Sequence, residues 1–162
     1  MKNCSFLPDS CARPAAKATV RGSEAYSGVW GEVKFYPQQG AVRVQATVSG
    51  LPENANRCQS PLFGFHIHEG TSCTGNAEDA FADAGAHENP DHCPHPYHAG
   101  DMPPLFSANG EAILIFLTDR FTVSQIIGKT VIIHASPDDF MTQPSGNAGH
   151  KIACGVIMNV RR

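Results

Sequence analysis

Short alternations of apolar and polar residues, punctuated by Gly and Pro, run through most of the chain. The stretch 41–48 is the clearest: Val42, Val44, Ala46 and Val48 share one face, and Arg43, Gln45 and Thr47 the other. That is the two-residue period of a half-buried strand. Residues 28–36 read as a strand leading into it through a Pro37-Gln38-Gln39-Gly40 turn, and the two form a hairpin. Further strands are predicted over 17–21, 62–68, 111–117, 130–135 and 152–160, with Ile126-Ile127 as a short apolar step before a Gly-Lys turn. No stretch of about a dozen residues keeps a helical period. Short strands joined by Gly/Pro turns predict an all-β sandwich or barrel.

The alternation stops from Glu69 to Pro104. An interval that long without strands, inside a compact domain, points to function and needs something to order it. It is rich in His, Cys and Asp rather than in the Ser, Lys and Glu of disordered segments. Metal ligation together with a disulfide would order it.

The length, 162 residues, suits one domain with a full core. Residues 1–16, with two prolines and two cysteines, read as a loose arm, and 17–162 as the domain. A net charge of −3 gives no support to a nucleic-acid partner, and no apolar run approaches the ~20 residues of a membrane span. The first residues hold no apolar core of a secretory signal. The expected compartment is therefore cytoplasmic for the chain as given, and extracytoplasmic if a signal has been removed. The six cysteines, Cys4, Cys11, Cys58, Cys73, Cys93 and Cys154, form no CxxC pair of the redox or structural-zinc kind. The sequence leaves monomer and homodimer both open.

The histidines change the picture most. In Phe63-Gly64-Phe65-His66-Ile67-His68, strand alternation puts Phe63, Phe65 and Ile67 on the core face, with Gly64, His66 and His68 opposite. Two imidazoles side by side can share a metal, although on a strand's polar face such a pair is more often solvated. His134 ends the apolar strand Val131-Ile132-Ile133, where a lone histidine is more often structural than a ligand. The long loop adds His87, His95 and the pair His98-x-x-Asp101. Three histidines and one aspartate make a chemically suitable tetrahedral zinc set. His92 could replace His95, but the eight-residue step from His87 favours His95.

Taken in order, HIHE, GAHENP, a histidine eight residues on, HAGD, IIH and GNAGHKIACGV resemble the copper/zinc superoxide dismutases, from about Val20 to the C-terminus. The resemblance implies an eight-stranded Greek-key β-barrel or sandwich with a long metal-binding loop. It implies copper on His66, His68, His87 and His134, zinc on His87, His95, His98 and Asp101, and His87 as the imidazolate between them. Asp138 would link a copper ligand to a zinc ligand, and Cys73 and Cys154 would form the disulfide tying the loop to the last strand. The five-residue step from His68 to Cys73 is closer to the bacterial branch.

The implied reaction converts superoxide to dioxygen and hydrogen peroxide by Cu(II)/Cu(I) cycling, with zinc structural and His87 carrying a proton. The alternative is a non-catalytic relative that binds zinc, or that stores or passes on copper. The chain departs from the family at its anion-guiding arginine, which is Lys151 here: the charge is kept and the planar two-pronged donor is lost. The loop before it, 140–150, carries no Lys, Arg, Asp or Glu. From Cys58 to Asp119 there are nine acidic residues and no Lys or Arg, so steering of an anion is expected to be weak. His150 is expected to be a solvated neighbour of Lys151. Pairing of Cys58 with Cys93 and of Cys4 with Cys11 is left open.

Overall fold

The alternating segments become strands because each has one apolar face to bury. In the computed structural model, which describes residues 13–53 and 61–160, these are β1 (Ala16–Gly22), β2 (Trp30–Gln38), β3 (Ala41–Ser49), β4 (Leu62–Phe63), β5 (Phe65–His68), β6 (Leu105–Phe106), β7 (Ala112–Thr118), β8 (Thr130–His134) and β9 (Lys151–Asn159). The single α-helix among the described residues, α1 (Val123–Ile126), is one turn closed by a Thr122/Gln125 capping box. It buries Ile126, the predicted apolar step.

Seven strands form one antiparallel sheet in the order β5-β8-β9-β1-β2-β3-β7, and β4 pairs with β6 in a separate ribbon. Three consecutive strands, β1 to β3, lie side by side. The chain then leaves, returns as β7 beside β3, and crosses over to lay β8 and β9 on the far side of β1. The β2–β3 hairpin is tighter than expected: Gln38 pairs with Ala41, and Gly40 turns the chain at φ +73°.

The stretch 62–68, read as one strand, is split at Gly64 between the ribbon and the large sheet. The Gly64 N–H donates to the Ser136 carbonyl, and the His134 N–H donates to the Gly64 carbonyl, both at 2.8 Å. A Cβ at Gly64 would come within 2.9 Å of Ala148 Cβ and 3.2 Å of His134 Cβ. Counted as one bent strand, 62–68 restores the eight expected. With β6 packed beside β7, the ribbon draws the two ends of the sheet together into a curled barrel.

The interior is filled by Val20, Val33, Phe35, Val44, Phe65, Ile67, Leu105, Ile126, Val131, Ile133, Ile152 and Ile157. Arg13 to Ala16 are the described end of the predicted arm, and Ala15 and Ala16 are already paired: Ala15 N–H donates to the Phe35 carbonyl, and Ala16 lies in β1. The rest of the arm, with Cys4 and Cys11, lies outside the described residues, as does Cys58. Among the described residues, no helix is long and apolar enough to cross a membrane.

Outside the barrel, a second apolar cluster of Phe81, Ala84, Ile132 and Cys154, with Cys73 against it, seats the long loop on β8 and β9. The Cys73–Cys154 disulfide staples the same contact. Burying one large side chain such as Phe81 is worth about 2–3 kcal/mol, so the loop is anchored by apolar contact as well as by a covalent bond.

Candidate metal centre

Strand alternation aims His66 and His68 away from the barrel core, and the loop 69–104 closes over them. His134 arrives beside them because β8 pairs with β5. Isolated bridges from His66 to Asp101 and from His68 to His87 bring the loop's ligands onto the same surface. All seven side chains are buried, none more than 8% exposed.

They fall into two groups that share one residue. His66, His68, His87 and His134 form the first; His87, His95, His98 and Asp101 form the second. Within each group, one ligand atom per residue lies within 4.8 Å of the others, close enough to hold one metal ion. His92, the alternative to His95, is exposed and belongs to neither group.

Hydrogen bonds on the outer nitrogens orient the rings. His68 Nδ1 meets the Gly85 carbonyl at 2.8 Å and His134 Nδ1 meets the Gly149 carbonyl at 3.1 Å. A carbonyl can only accept, so each Nδ1 carries the proton and each Nε2 presents a lone pair. Those two Nε2 atoms stand 3.2 Å apart. His66 turns Nε2 to Asp138 Oδ2 at 2.7 Å, and His95 turns Nε2 to Asp138 Oδ1 at 2.9 Å. One carboxylate thus fixes a ring in each group, the role of an outer carboxylate at a metal site.

The inner nitrogens are left over. His66 Nδ1, His87 Nε2 and His95 Nδ1 are buried without a hydrogen-bond partner. Buried polar atoms are almost always satisfied, so His66 Nδ1 and His87 Nε2 beside the two facing lone pairs of the first group, and His95 Nδ1 at 3.1 Å from Asp101 Oδ2 in the second, describe sites built for cations. Nitrogen-only ligation in one group suits copper, and three nitrogens with a carboxylate suit zinc. The donor sets therefore fit both metals.

Burial favours the neutral, ligating form of His66, His68, His98 and His134. It pushes His134 down to about 3, helped by His66 and His87. Burial also lowers His68 well below its ordinary value, lowers His66 despite the pull of Asp138, and lowers His98 despite Asp101. For Asp138, burial acts upward, but hydrogen bonds from His66, the Phe140 N–H and His95 hold the carboxyl well below the usual carboxylate range. Asp101 is held below its ordinary value by His87, again against burial.

These shifts set a stability profile for the metal-free protein. The unfolded chain takes up protons on these histidines near pH 6.5, and the folded chain resists them to lower pH. The unfolded state binds more protons as pH falls, so stability is lost on acidification from pH 6.5 toward 3. The urea midpoint of metal-free protein should drop steadily between pH 7.5 and 4.5. A constant midpoint would contradict the buried neutral state.

Two positioning residues escaped the sequence reading. Arg120 Nη1 donates to the carbonyls of Pro96 at 2.8 Å and His98 at 3.3 Å, and so pins the loop that carries the second group. Its only sequence signal is being the first cation after the long acidic stretch. Gly146 takes φ +67°, and a Cβ there would lie 1.8 Å from Asp138 Oδ1 and 2.7 Å from His95 Nε2. Gly146→Ala should therefore displace the shared carboxylate and weaken zinc retention about 10- to 100-fold, the usual cost of losing an outer-sphere partner. Competition with a zinc chelator measures this, and unchanged retention would show that Asp138 tolerates the shift.

The Cys73–Cys154 disulfide is formed, whereas Cys93 is a free thiol among the described residues, its backbone held by the Asn89 side chain. His150 is exposed as expected, but it also meets the Tyr26 hydroxyl at 2.9 Å. Lys151 lines the pocket above His68, His87 and His134 and forms an ion pair with Asp79.

The chain matches the family profile of copper/zinc superoxide dismutase over residues 29–157. It is 31% identical over 144 residues to the second copper–zinc superoxide dismutase of Aquifex aeolicus, covering 80% of this chain and 79% of that one. It is 31% identical over 150 residues to the copper–zinc superoxide dismutase of Deinococcus radiodurans, covering 82% and 79%. With that of Photobacterium leiognathi it shares 37% identity over 110 residues, covering 59% and 64%. Together with the curled antiparallel barrel and the paired histidine clusters, these matches place the chain in the copper/zinc superoxide dismutases, an oxidoreductase family whose metals are copper and zinc.

Proposed function

We propose that the protein is a working superoxide dismutase, with copper held by His66, His68, His87 and His134 and zinc by His87, His95, His98 and Asp101. The observation that carries this reading is the division of His87 between the two groups. Its Nδ1 lies 2.7 Å from Asp101 Oδ1 and 3.4 Å from His98 Nδ1, on the zinc side. Its Nε2 is buried, without a hydrogen-bond partner, and its ring centroid lies 4.0 Å from that of His66 and 4.9 Å from that of His68.

Bound copper would supply a one-electron couple, and zinc a charge that takes no part in redox. The chain does the rest. His87 Nε2 is the atom that holds a proton in one half of the cycle and gives it up in the other. Asp138 keeps the His66 and His95 rings turned so that His66 Nδ1 and His95 Nδ1 face the metals. The loop keeps bulk water from the rings, and the pocket at its edge admits a small anion past Lys151.

The test is direct measurement of superoxide consumption by the copper- and zinc-loaded protein. Activity no greater than that of the same amount of free copper would sink the dismutase reading. It would leave the second reading, a metal-binding relative, which the pairing of Lys151 with Asp79 favours.

A further inference from the structure

The copper-side group opens to solvent through a pocket of about 560 Å³. Among the described residues, Lys151 is the only Lys or Arg that lines it, and Glu69 and Asp79 are the only carboxylates. Lys151 opens β9, and its Nζ donates to Asp79 Oδ2. The pair is partly shielded, with side chains 15% and 35% exposed.

Asp79 is not a loose side chain that happens to reach a lysine. Its Oδ1 accepts the Phe81 N–H at 3.0 Å, and its own N–H donates to Asn76 Oδ1 at 2.9 Å. Phe81, two residues on, is buried against Ile132. The Cys73–Cys154 disulfide joins the loop that carries Asp79 to the strand that carries Lys151. Burial pushes the Asp79 carboxyl up, but the bonds from Lys151 and Phe81 outweigh it and keep the group below its ordinary value.

We infer that Asp79 sets the anion affinity of the pocket by neutralising Lys151. The inference rests on the part of the proposed function that places copper at the group beneath this pocket, where a small anion reaches it. With Asp79 in place, Lys151, Glu69 and Asp79 sum to one negative charge at the mouth. Without it they sum to zero, and an ammonium faces the incoming anion with no partner. The chain then has its guiding cation and, built into the same loop, a group that weakens it. Asp79 acts through Lys151 and touches neither metal group.

The probe is azide, titrated spectroscopically into the copper- and zinc-loaded protein. Asp79→Asn keeps an oxygen for the Phe81 N–H and replaces the charged oxygen that accepts from Lys151 with an amide NH2, which cannot accept, so both the charge and the bond to Lys151 are removed. It should tighten azide binding about 3- to 10-fold and make superoxide consumption fall more steeply with added salt than in the wild type. Glu78→Gln makes the same charge change one residue away on an exposed side chain, and should leave azide binding within about twofold. Unchanged azide binding in Asp79→Asn overturns the inference, and so does an equal change in Glu78→Gln. Weaker azide binding in Asp79→Asn also overturns it, by showing that Asp79 holds Lys151 in place for the anion. Azide binding needs no turnover. A protein that binds azide as stated but does not consume superoxide loses the dismutase reading and keeps this one.

Discussion

Replacing His134 by alanine in the copper- and zinc-loaded protein is expected to cut superoxide consumption about 100-fold or more, since outer partners of a metal site alone are worth 10- to 100-fold. His134 belongs only to the first group, the one proposed to hold copper. Its Nε2 faces His68 Nε2 at 3.2 Å, and its Nδ1 is tied to the Gly149 carbonyl. The substitution leaves three nitrogens and a void where the ring stood. The second group loses nothing, so zinc content should stay near the wild-type value while copper falls. Elemental analysis beside the rate measurement separates loss of metal from loss of turnover. Unchanged activity would mean that the redox centre lies elsewhere, and a parallel loss of zinc would mean that the two groups are not divided as proposed.

The second large effect concerns the disulfide. Cys73 and Cys154 are 81 residues apart. Cross-linking a loop of that size removes enough freedom from the unfolded chain to stabilise the fold by about 4–5 kcal/mol in the chain-entropy account, and measured values run at about 2–4. Cys73→Ser with Cys154→Ser should therefore lower the stability of the metal-free protein by about 2–4 kcal/mol, read by urea unfolding. The metal-free form is the right one to measure, because bound metal adds its own stabilisation to the folded state. A loss below about 1 kcal/mol would show that Phe81, Ala84 and Ile132 hold the loop without the cross-link.

Much of this was legible from alternation alone. Val42, Val44, Ala46 and Val48 are all inside, and Phe63, Phe65 and Ile67 face the core. The break at Gly64 was not legible, because the apolar pattern continues through it. Only the tertiary approach of Ala148 and His134 requires a glycine there. Likewise Val131-Ile132-Ile133 reads as an apolar strand, but nothing local says that Ile132 points outward and is covered by Phe81 and Ala84. A strand buried on both faces loses its alternation.

In the site, every ligand candidate came from residue type and spacing. The division into two groups was what the resemblance to the copper/zinc superoxide dismutases implied, and no local rule gives it. Arg120 could not be found in the sequence, because its acceptors are backbone carbonyls, which every residue carries. The Asp79–Lys151 pair could not be found either: the partners are 72 residues apart, and charges that far separated carry no sign of who meets whom.

One side chain, His87, belongs to both groups. The affinity of either group for its ion is therefore not a property of that group alone. An ion held on the Nδ1 side would fix the ring plane and change the basicity of Nε2, and an ion held on the Nε2 side would do the same in return. Thermodynamic linkage makes the two effects equal in free energy. With metals bound as proposed, the two groups would share one coupled binding polynomial, and the order in which the metals arrive would change the intermediates but not the total.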